Sequence, residues 1–389
     1  MKILFVSNLF PPHFIGGYEI AAQDTATILN ENNHECFVLA SDYVKEGIDI
    51  VSEKTVMRKL KLHEAWGKRY NSLSATEISK YNATVLEGVI ESVKPDVVYF
   101  WNIYGLGTKI IKLVKDKKIP YTMHFCDLSI LSYQSTPRSV ISKILHPTMR
   151  EICDLNSLIS DSVSISRYVK NKLKKYCSKD SNVIYPYLSD RNLNVKKEYL
   201  IGTNIKSVYI GQIEKHKGIQ TVCEAINKLN SGQNKFHLSL DIYGSSLSNL
   251  DTDLLNNYGS FLKVHTGVPR NEILNRLSTY DLGFFPSIWE EPFGIAQIEL
   301  MQAGLPIFAT GMGGSCEPLK NDNHIHFKKG DAEDLKLKLA QFLQTYNDKA
   351  RQIGQIAAKD IKDIFSKQNY IVALNAHFEK LVKSYLKGK

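Results

Sequence analysis

At 389 residues, with 43% hydrophobic and 23% charged side chains, the chain is long enough for two α/β domains of roughly 180 residues each, and its globular composition excludes disordered and fibrous classes. Its net charge of +9 is shared between both halves without a basic tail, so no nucleic-acid arm is indicated and an anionic substrate or lipid surface is the charged partner to expect. The opening apolar run is too short for a signal peptide and no stretch reaches about 18 uninterrupted apolar residues, which predicts a cytoplasmic protein without a transmembrane anchor.

Residues 2–7, K-I-L-F-V-S, form a continuous apolar run that ends in P-P and G-G, after which E-I-A-A-Q-D-T-A-T-I-L has helical spacing. That is strand, loop, helix. Strand candidates follow at 34–40, 97–101, 119–124 and 158–166, with helical patterns at about 75–93 and 105–117. Near 182–192 the pattern lapses into a polar stretch, the expected linker, and it restarts at 207–212. Further strand candidates lie at 236–243, 261–265, 281–286 and 305–309, and Ile219, Val222, Ile226 and Leu229 share one helical face. Ile371, Leu374, Phe378, Leu381 and Tyr385, at steps of three and four, predict a terminal amphipathic helix that needs a surface to cover.

Buried strands alternating with helices imply parallel sheets covered on both faces. The expected fold class is α/β, with two Rossmann-like doubly wound domains facing a central cleft. The boundaries are 1–190 for an acceptor-side domain, 191–368 for a donor domain, and 369–389 for a helix packing back toward the first domain. The six cysteines are scattered, without a C-x-x-C pair or a His cluster at zinc spacing, and read as reduced packing residues.

The most informative stretch is P-S-I-W-E-E-P-F-G-I-A-Q-I-E-L-M-Q-A-G-L-P-I at 286–307. Glu291 lies in a loop, and Glu299 lies inside the helix that Phe293 and Gly294 open. The start of that helix points free N–H groups and partial positive charge outward, a ready site for a diphosphate. Glu299 can meet ribose hydroxyls if the nucleotide lies along the helix start, and Glu291 can reach a transferred sugar. For an isolated pair of glutamates, solvated loop charge and ordinary helix surface is the simpler reading; the flanking P-S, F-G, A-G and L-P argue against it.

This stretch resembles the signature of the large retaining glycosyltransferase family called group 1, or family 4, and the resemblance extends along essentially the whole chain. It implies the two-domain GT-B architecture. P-P-H-F-I-G-G-Y-E resembles the family's glycine loop, with Gly16 and Gly17 letting backbone approach the donor phosphate and Glu19 starting the helix. G-Q-I-E-K-H-K-G at 211–218 resembles the loop in which an Arg and a Lys neutralise the diphosphate: Lys217 fits the second role, and Gln212 stands where the family has Arg. H-F-C-D at 124–127 resembles the His-x-x-Asp region, with His124 toward the transferred sugar and Asp127 toward the acceptor, and Ser166 and Arg167 follow the next strand. Y-G-S-S, H-T-G-V and G-M-G-G-S-C-E place Gly244, Val268 and Glu317 with its glycines near the donor. V-I-Y-P-Y-L-S-D at 183–190 replaces the family's usual linker turn.

The implied catalytic residues are Glu291, Lys217 and His124, and the implied donor-binding residues are Gly16, Gly17, Gln212, Phe293, Gly294, Ile295, Glu299, Gly244 and Val268. No D-x-D loop presents a metal site, so neither a metal nor another cofactor is expected. The implied function is a retaining, metal-independent transferase that moves a hexose or hexose derivative from a nucleotide-diphosphate sugar to a glycan or lipid-linked acceptor, as in surface polysaccharide or glycoconjugate biosynthesis. The competing readings are a nucleotide-sugar epimerase on the same fold and a non-catalytic nucleotide-sugar-binding partner. M-R-K-L-K-L-H-E-A-W-G-K-R-Y at 57–70 interleaves Arg58, Lys59, Lys61, Lys68 and Arg69 with Leu60, Leu62, Trp66 and Tyr70. Such a segment can dock on an anionic membrane surface, which would place the protein on the inner face of the cytoplasmic membrane. The alternative is a solvated helix face with one buried Trp.

Overall fold

The structure is a computed structural model that describes residues 1–49, 53–65, 68–134, 153–176, 180–187, 193–232, 235–246 and 248–387. It separates into two units, Met1–Tyr187 together with Lys367–Lys389, and Leu188–Ser366.

In the first unit the strands of the main sheet are β1 (Lys2–Ser7), β2 (Glu35–Ser41), β3 (Val56–Leu60), β4 (Val97–Asn102), β5 (Tyr121–Phe125), β6 (Ser162–Ser164) and β7 (Asn182–Val183). They lie in the order β3-β2-β1-β4-β5-β6-β7, every pair parallel. The central strands are apolar throughout because helices cover a parallel sheet on both faces: Ile3 to Val6 and Val97 to Trp101 are all buried. Helices α1 (Gly17–Glu31), α2 (Ala75–Val93), α3 (Lys109–Asp116) and α4 (Arg167–Tyr176) belong to this unit. Ser74 caps α2 by accepting the Glu77 N–H at 3.3 Å, while the Glu77 carboxylate takes the Ser74 N–H at 2.8 Å.

The terminal helix, Lys367–Lys387, completes this core. Tyr370, Ile371, Leu374, Phe378 and Leu381 join Phe5, Tyr99 and Trp101 in one buried cluster, and Phe378 meets Tyr99 edge to face at 5.2 Å. Polar bonds fix the register: Tyr370 with Thr25 at 2.7 Å, and His377 with Thr122 and Asn182, both at 2.9 Å.

Residues 57–70 differ from expectation. Val56–Leu60 is strand β3, beside β2, and Leu60 and Leu62 are buried. Arg58 points inward as well, donating to the carbonyls of Phe10 at 2.9 Å and Pro11 at 2.6 Å, and Lys61 pairs with Asp42 at 2.5 Å. Residues 56–60 are therefore strand rather than helix face, and Leu60 and Leu62 turn into the core. Trp66 lies outside the described residues, as do 188–192 of the expected linker.

The second unit contains β8 (Asn204–Ile210), β9 (His237–Tyr243), β10 (Leu262–His265), β11 (Leu282–Phe285), β12 (Ile307–Ala309) and β13 (Ile325–His326), in the order β10-β9-β8-β11-β12-β13, again all parallel. Its helices are α5 (Ile219–Asn230), α6 (Leu250–Tyr258), α7 (Arg270–Arg276), α8 (Ile295–Gln302), α9 (Ala332–Gln344) and α10 (Tyr346–Ile364). The α5 face of Ile219, Val222, Ile226 and Leu229 is buried against the sheet. Strand order reverses between β1 and β4 in one sheet and between β8 and β11 in the other, the points where open α/β sheets leave a crevice at the carboxyl ends of their strands. The G-G loop follows β1, and the two charged motif loops follow β8 and β11.

Replacing Phe378 by Ala is expected to destabilise the first unit by about 3–5 kcal/mol, the usual cost of emptying a fully buried aromatic site. Urea unfolding followed by tryptophan fluorescence measures this through Trp101, which shares the Phe378 cluster.

Candidate active site

The loops after β8 and β11 are locked together by close backbone approach. Gly218 sits at φ +74°, and a Cβ there would lie 2.0 Å from the Pro286 carbonyl oxygen, so no other residue fits. The Ile288 N–H donates to the His216 carbonyl at 3.1 Å, and the His216 ring meets the Trp289 edge at 5.3 Å. Burial, followed by the Lys217 charge, holds the His216 pKa below its ordinary value. This contact delivers Lys217 to Glu291: Nζ lies 2.8 Å from Oε1 and 3.0 Å from Oε2, and 4.9 Å from the Trp289 ring centroid. Glu291 is only 5% exposed, and the Ser287 hydroxyl also donates to its Oε1 at 2.9 Å. A carboxylate this buried needs a charged partner and further hydrogen bonds, and it has both.

The glycines of 311–314 hold the backbone of Glu291. The Glu291 N–H donates to the Met312 carbonyl at 3.1 Å and its carbonyl accepts the Gly314 N–H at 2.6 Å. Gly313, at φ +66°, has the Glu291 carbonyl oxygen 2.5 Å from where a Cβ would sit. These glycines were expected to approach a diphosphate; their observed work is to seat Glu291.

Helix α8 opens at Gly294, φ +97°, where an added Cβ would press on the Phe285 ring at 3.0 Å and the Ser315 Cβ at 3.1 Å. The first-turn amides from Ile295 onward have no intrahelical acceptor, as at any helix start. Phe293 is fully buried against Phe365, with ring centroids 5.6 Å apart. Its ring is therefore a packing element, and a donor could meet only its backbone. Gly244 has a similar structural reason: a Cβ would fall 1.9 Å from the Gly211 carbonyl oxygen. Gln212 is exposed, its carbonyl accepting the Tyr209 hydroxyl at 2.8 Å, and Val268 is half-buried in the loop after β10.

Glu299, also 5% exposed, pairs with Arg270 rather than Lys217. Arg270 Nε lies 2.6 Å from Oε1, and Nη2 contacts the same oxygen. Sequence reasoning stopped at Val268 and missed this arginine two residues on. Following the loop into α7, which begins at Arg270, was the available signal.

In the first unit the Gly16 N–H donates to Glu19 Oε2 at 2.9 Å, so one of the two glycine amides expected to face phosphate is taken within α1 itself. Burial pushes the Glu19 carboxyl up to about 7, with the Gly16 bond opposing and Asp127 adding to the shift. Gly17 is the first residue of α1. His124 is 4% exposed, stacked on Trp101 at 4.0 Å and hydrogen-bonded through Nδ1 to the Tyr99 hydroxyl at 2.6 Å. Burial, and secondarily His377, lowers its pKa to about 3, so it is a neutral imidazole that can share a hydrogen bond but cannot donate from a cation near neutrality. It lines a recess with Asn102, Tyr104, Asp127 and Ser129. Asp127 accepts the Ser129 N–H at 2.8 Å, and Ser166, buried, caps α4 through Val169 at 3.0 Å. Arg167 is exposed.

Among the described residues no group of three His, Cys, Asp or Glu side chains is placed to hold a metal ion, and no helix is long and apolar enough to cross a membrane.

Residues 190–360, nearly all of the second unit, match the family described as glycosyl transferases group 1. The likeness to this family is carried by that unit. The chain is similar to an uncharacterised glycosyltransferase of Methanocaldococcus jannaschii, 25% identical over 341 residues, 83% of each chain. Its fold, GT-B, is that of sucrose-phosphate synthase from Thermosynechococcus elongatus, with a TM-score of 0.76 at 13% identity over 98% of this chain and 99% of that one. It is shared with Anabaena HepE, solved in complex with UDP and glucose, with a TM-score of 0.70 at 16% identity over 97% and 99%.

Two outcomes are expected for the chain. Gly313→Ala forces a left-handed conformation and a backbone clash, so it should lower stability by at least about 2 kcal/mol, read as a fall in thermal midpoint. For Glu19, a folded-state pKa near 7 against an ordinary 4.5 means the native state holds a proton that the unfolded chain has released. Its contribution therefore turns unfavourable as pH rises from about 4.5 to 7, by on the order of 3 kcal/mol. Glu19→Gln should flatten that part of the stability profile; an unchanged profile would contradict the assignment.

Proposed function

We propose that this glycosyl transferase moves a hexose or hexose derivative, with retention, from a nucleotide-diphosphate sugar to a glycan or lipid-linked acceptor in surface polysaccharide or glycoconjugate biosynthesis, on the cytoplasmic side and without a metal ion. The carrying observation is the buried Lys217–Glu291 pair at the switch point, in the loops that lead into α5 and α8. Lys217 and the first-turn amides of α8 supply positive charge for a departing diphosphate, and Glu291 and His124 act on the hydroxyls of the transferred sugar. Glu299 takes the ribose, and the backbones of Gly16, Gly17, Gln212, Gly244, Val268, Phe293, Gly294 and Ile295 complete the donor contacts.

Retention follows from front-face displacement. The bond from the anomeric carbon to the phosphate oxygen breaks, the bond to the acceptor oxygen forms on the same face, and the acceptor proton passes to the leaving phosphate. Both oxygens of Glu291 are engaged by Lys217, which favours this route over one in which that carboxylate attacks the anomeric carbon. Because HepE was solved with UDP and glucose, UDP-glucose is the first donor to test.

With UDP release as the readout, Lys217→Ala should lower kcat by about a hundredfold or more with donor KM little changed, the size of effect seen when one stabilising donor is removed. Glu299→Ala should raise donor KM about tenfold, the weight of a hydrogen bond to a charged group. Unchanged kinetics in both variants reject the site, a product of inverted anomeric configuration rejects retention, and loss of activity with EDTA rejects metal independence.

A further inference from the structure

Glu299 and Arg270 form a second acid–base pair in the same unit, and its geometry is one-sided. Both arginine contacts, from Nε and Nη2, fall on Oε1. Among the described residues no hydrogen bond reaches Oε2. The Glu299 side chain is 7% exposed and that of Arg270 31%, so the guanidinium lies on the more open side of the pair. A group that bonds Oε2 therefore meets an anionic acceptor beside a planar cationic donor.

We propose that Arg270 is a positioning and specificity residue for the nucleotide, reading a ribose cis-diol jointly with Glu299. One hydroxyl donates to Oε2 and its neighbour accepts from the guanidinium, which is the pattern of a vicinal diol and not of a deoxyribose. Arg270 has a second effect through charge. A buried carboxylate next to a diphosphate repels it, and the arginine cancels that repulsion as Lys217 does for Glu291. This matters because Gln212, where related sequences are expected to carry an arginine, brings no charge. The inference rests on the reading of the second unit as a nucleotide-sugar site.

The test is isothermal titration of the full chain with UDP, ADP and GDP and with their 2′-deoxy counterparts. The unaltered protein is expected to prefer its ribonucleotide by about tenfold, as for loss of a hydrogen bond to a charged group. Arg270→Ala should weaken the ribonucleotide about tenfold more than the deoxynucleotide, bringing the ratio toward one, while a loss shared by both reports the charge effect. Arg270→Lys keeps the charge but loses the planar fork and should recover only part of the preference. An unchanged ratio in Arg270→Ala, or no ribose preference in the unaltered protein, overturns the proposal. If Glu299→Ala weakens binding and Arg270→Ala does not, only the role of Arg270 falls. If none of the three diphosphates binds the unaltered protein, the nucleotide-site reading falls with it. Because Arg270→Ala leaves the buried Glu299 carboxylate without its cation, a lowered thermal midpoint is expected, and titrating well below that midpoint separates lost recognition from lost folding.

Discussion

A carboxylate nearly removed from water is the constraint from which the second unit's site follows. Glu291 can stay charged in that setting only with a cation and further hydrogen bonds in fixed positions, and the neighbouring features supply them. Gly218 lets the β8 loop press against Pro286 and deliver Lys217. Ser287 donates to the carboxylate and is itself held by Thr310, whose hydroxyl reaches the Ser287 carbonyl at 2.6 Å. Gly313 allows the 311–314 loop to bond both sides of the Glu291 peptide. Each of these residues has a local reason, and all of the reasons concern one side chain.

The first unit solves a different problem. Its G-G loop and the end of β5 carry the polar residues, yet most of those are partnered from within: Gly16 by Glu19, His124 by Tyr99, Asp127 by Ser129. Tyr99, Trp101 and Phe378 pack in one aromatic group that also fixes His124. The terminal helix therefore reaches the surroundings of His124 through Tyr99. A buried neutral imidazole of this kind is rigid and uncharged, suited to orienting a hydroxyl rather than to proton transfer.

The alternation of buried strands with helices was legible because a parallel sheet covered on both faces leaves unbroken apolar runs, as in 97–101 and 282–285. Strand β3 was not, since V-M-R-K-L has no such run and its edge position admits Arg58 and Lys59. The charged motif at 286–307 was legible from residue type and spacing, but its internal bonding was not. Phe293 looked like a contact residue and is a core residue, because its ring finds Phe365 more than seventy positions away. Arg270 carried no motif, and only the turn into α7 brings it to Glu299.

Sequence alone determined the two parallel-sheet units, the loops that carry charge, and the residue types available there, because hydrophobic period and Gly/Pro punctuation are local properties of the chain. Only the tertiary structure decided which charge meets which: Lys217 with Glu291 across 74 positions, Arg270 with Glu299 across 29, and His124 locked between Tyr99 and Trp101. Ion pairing and burial depend on distances through space, and those are set when the strands take their order in the sheet.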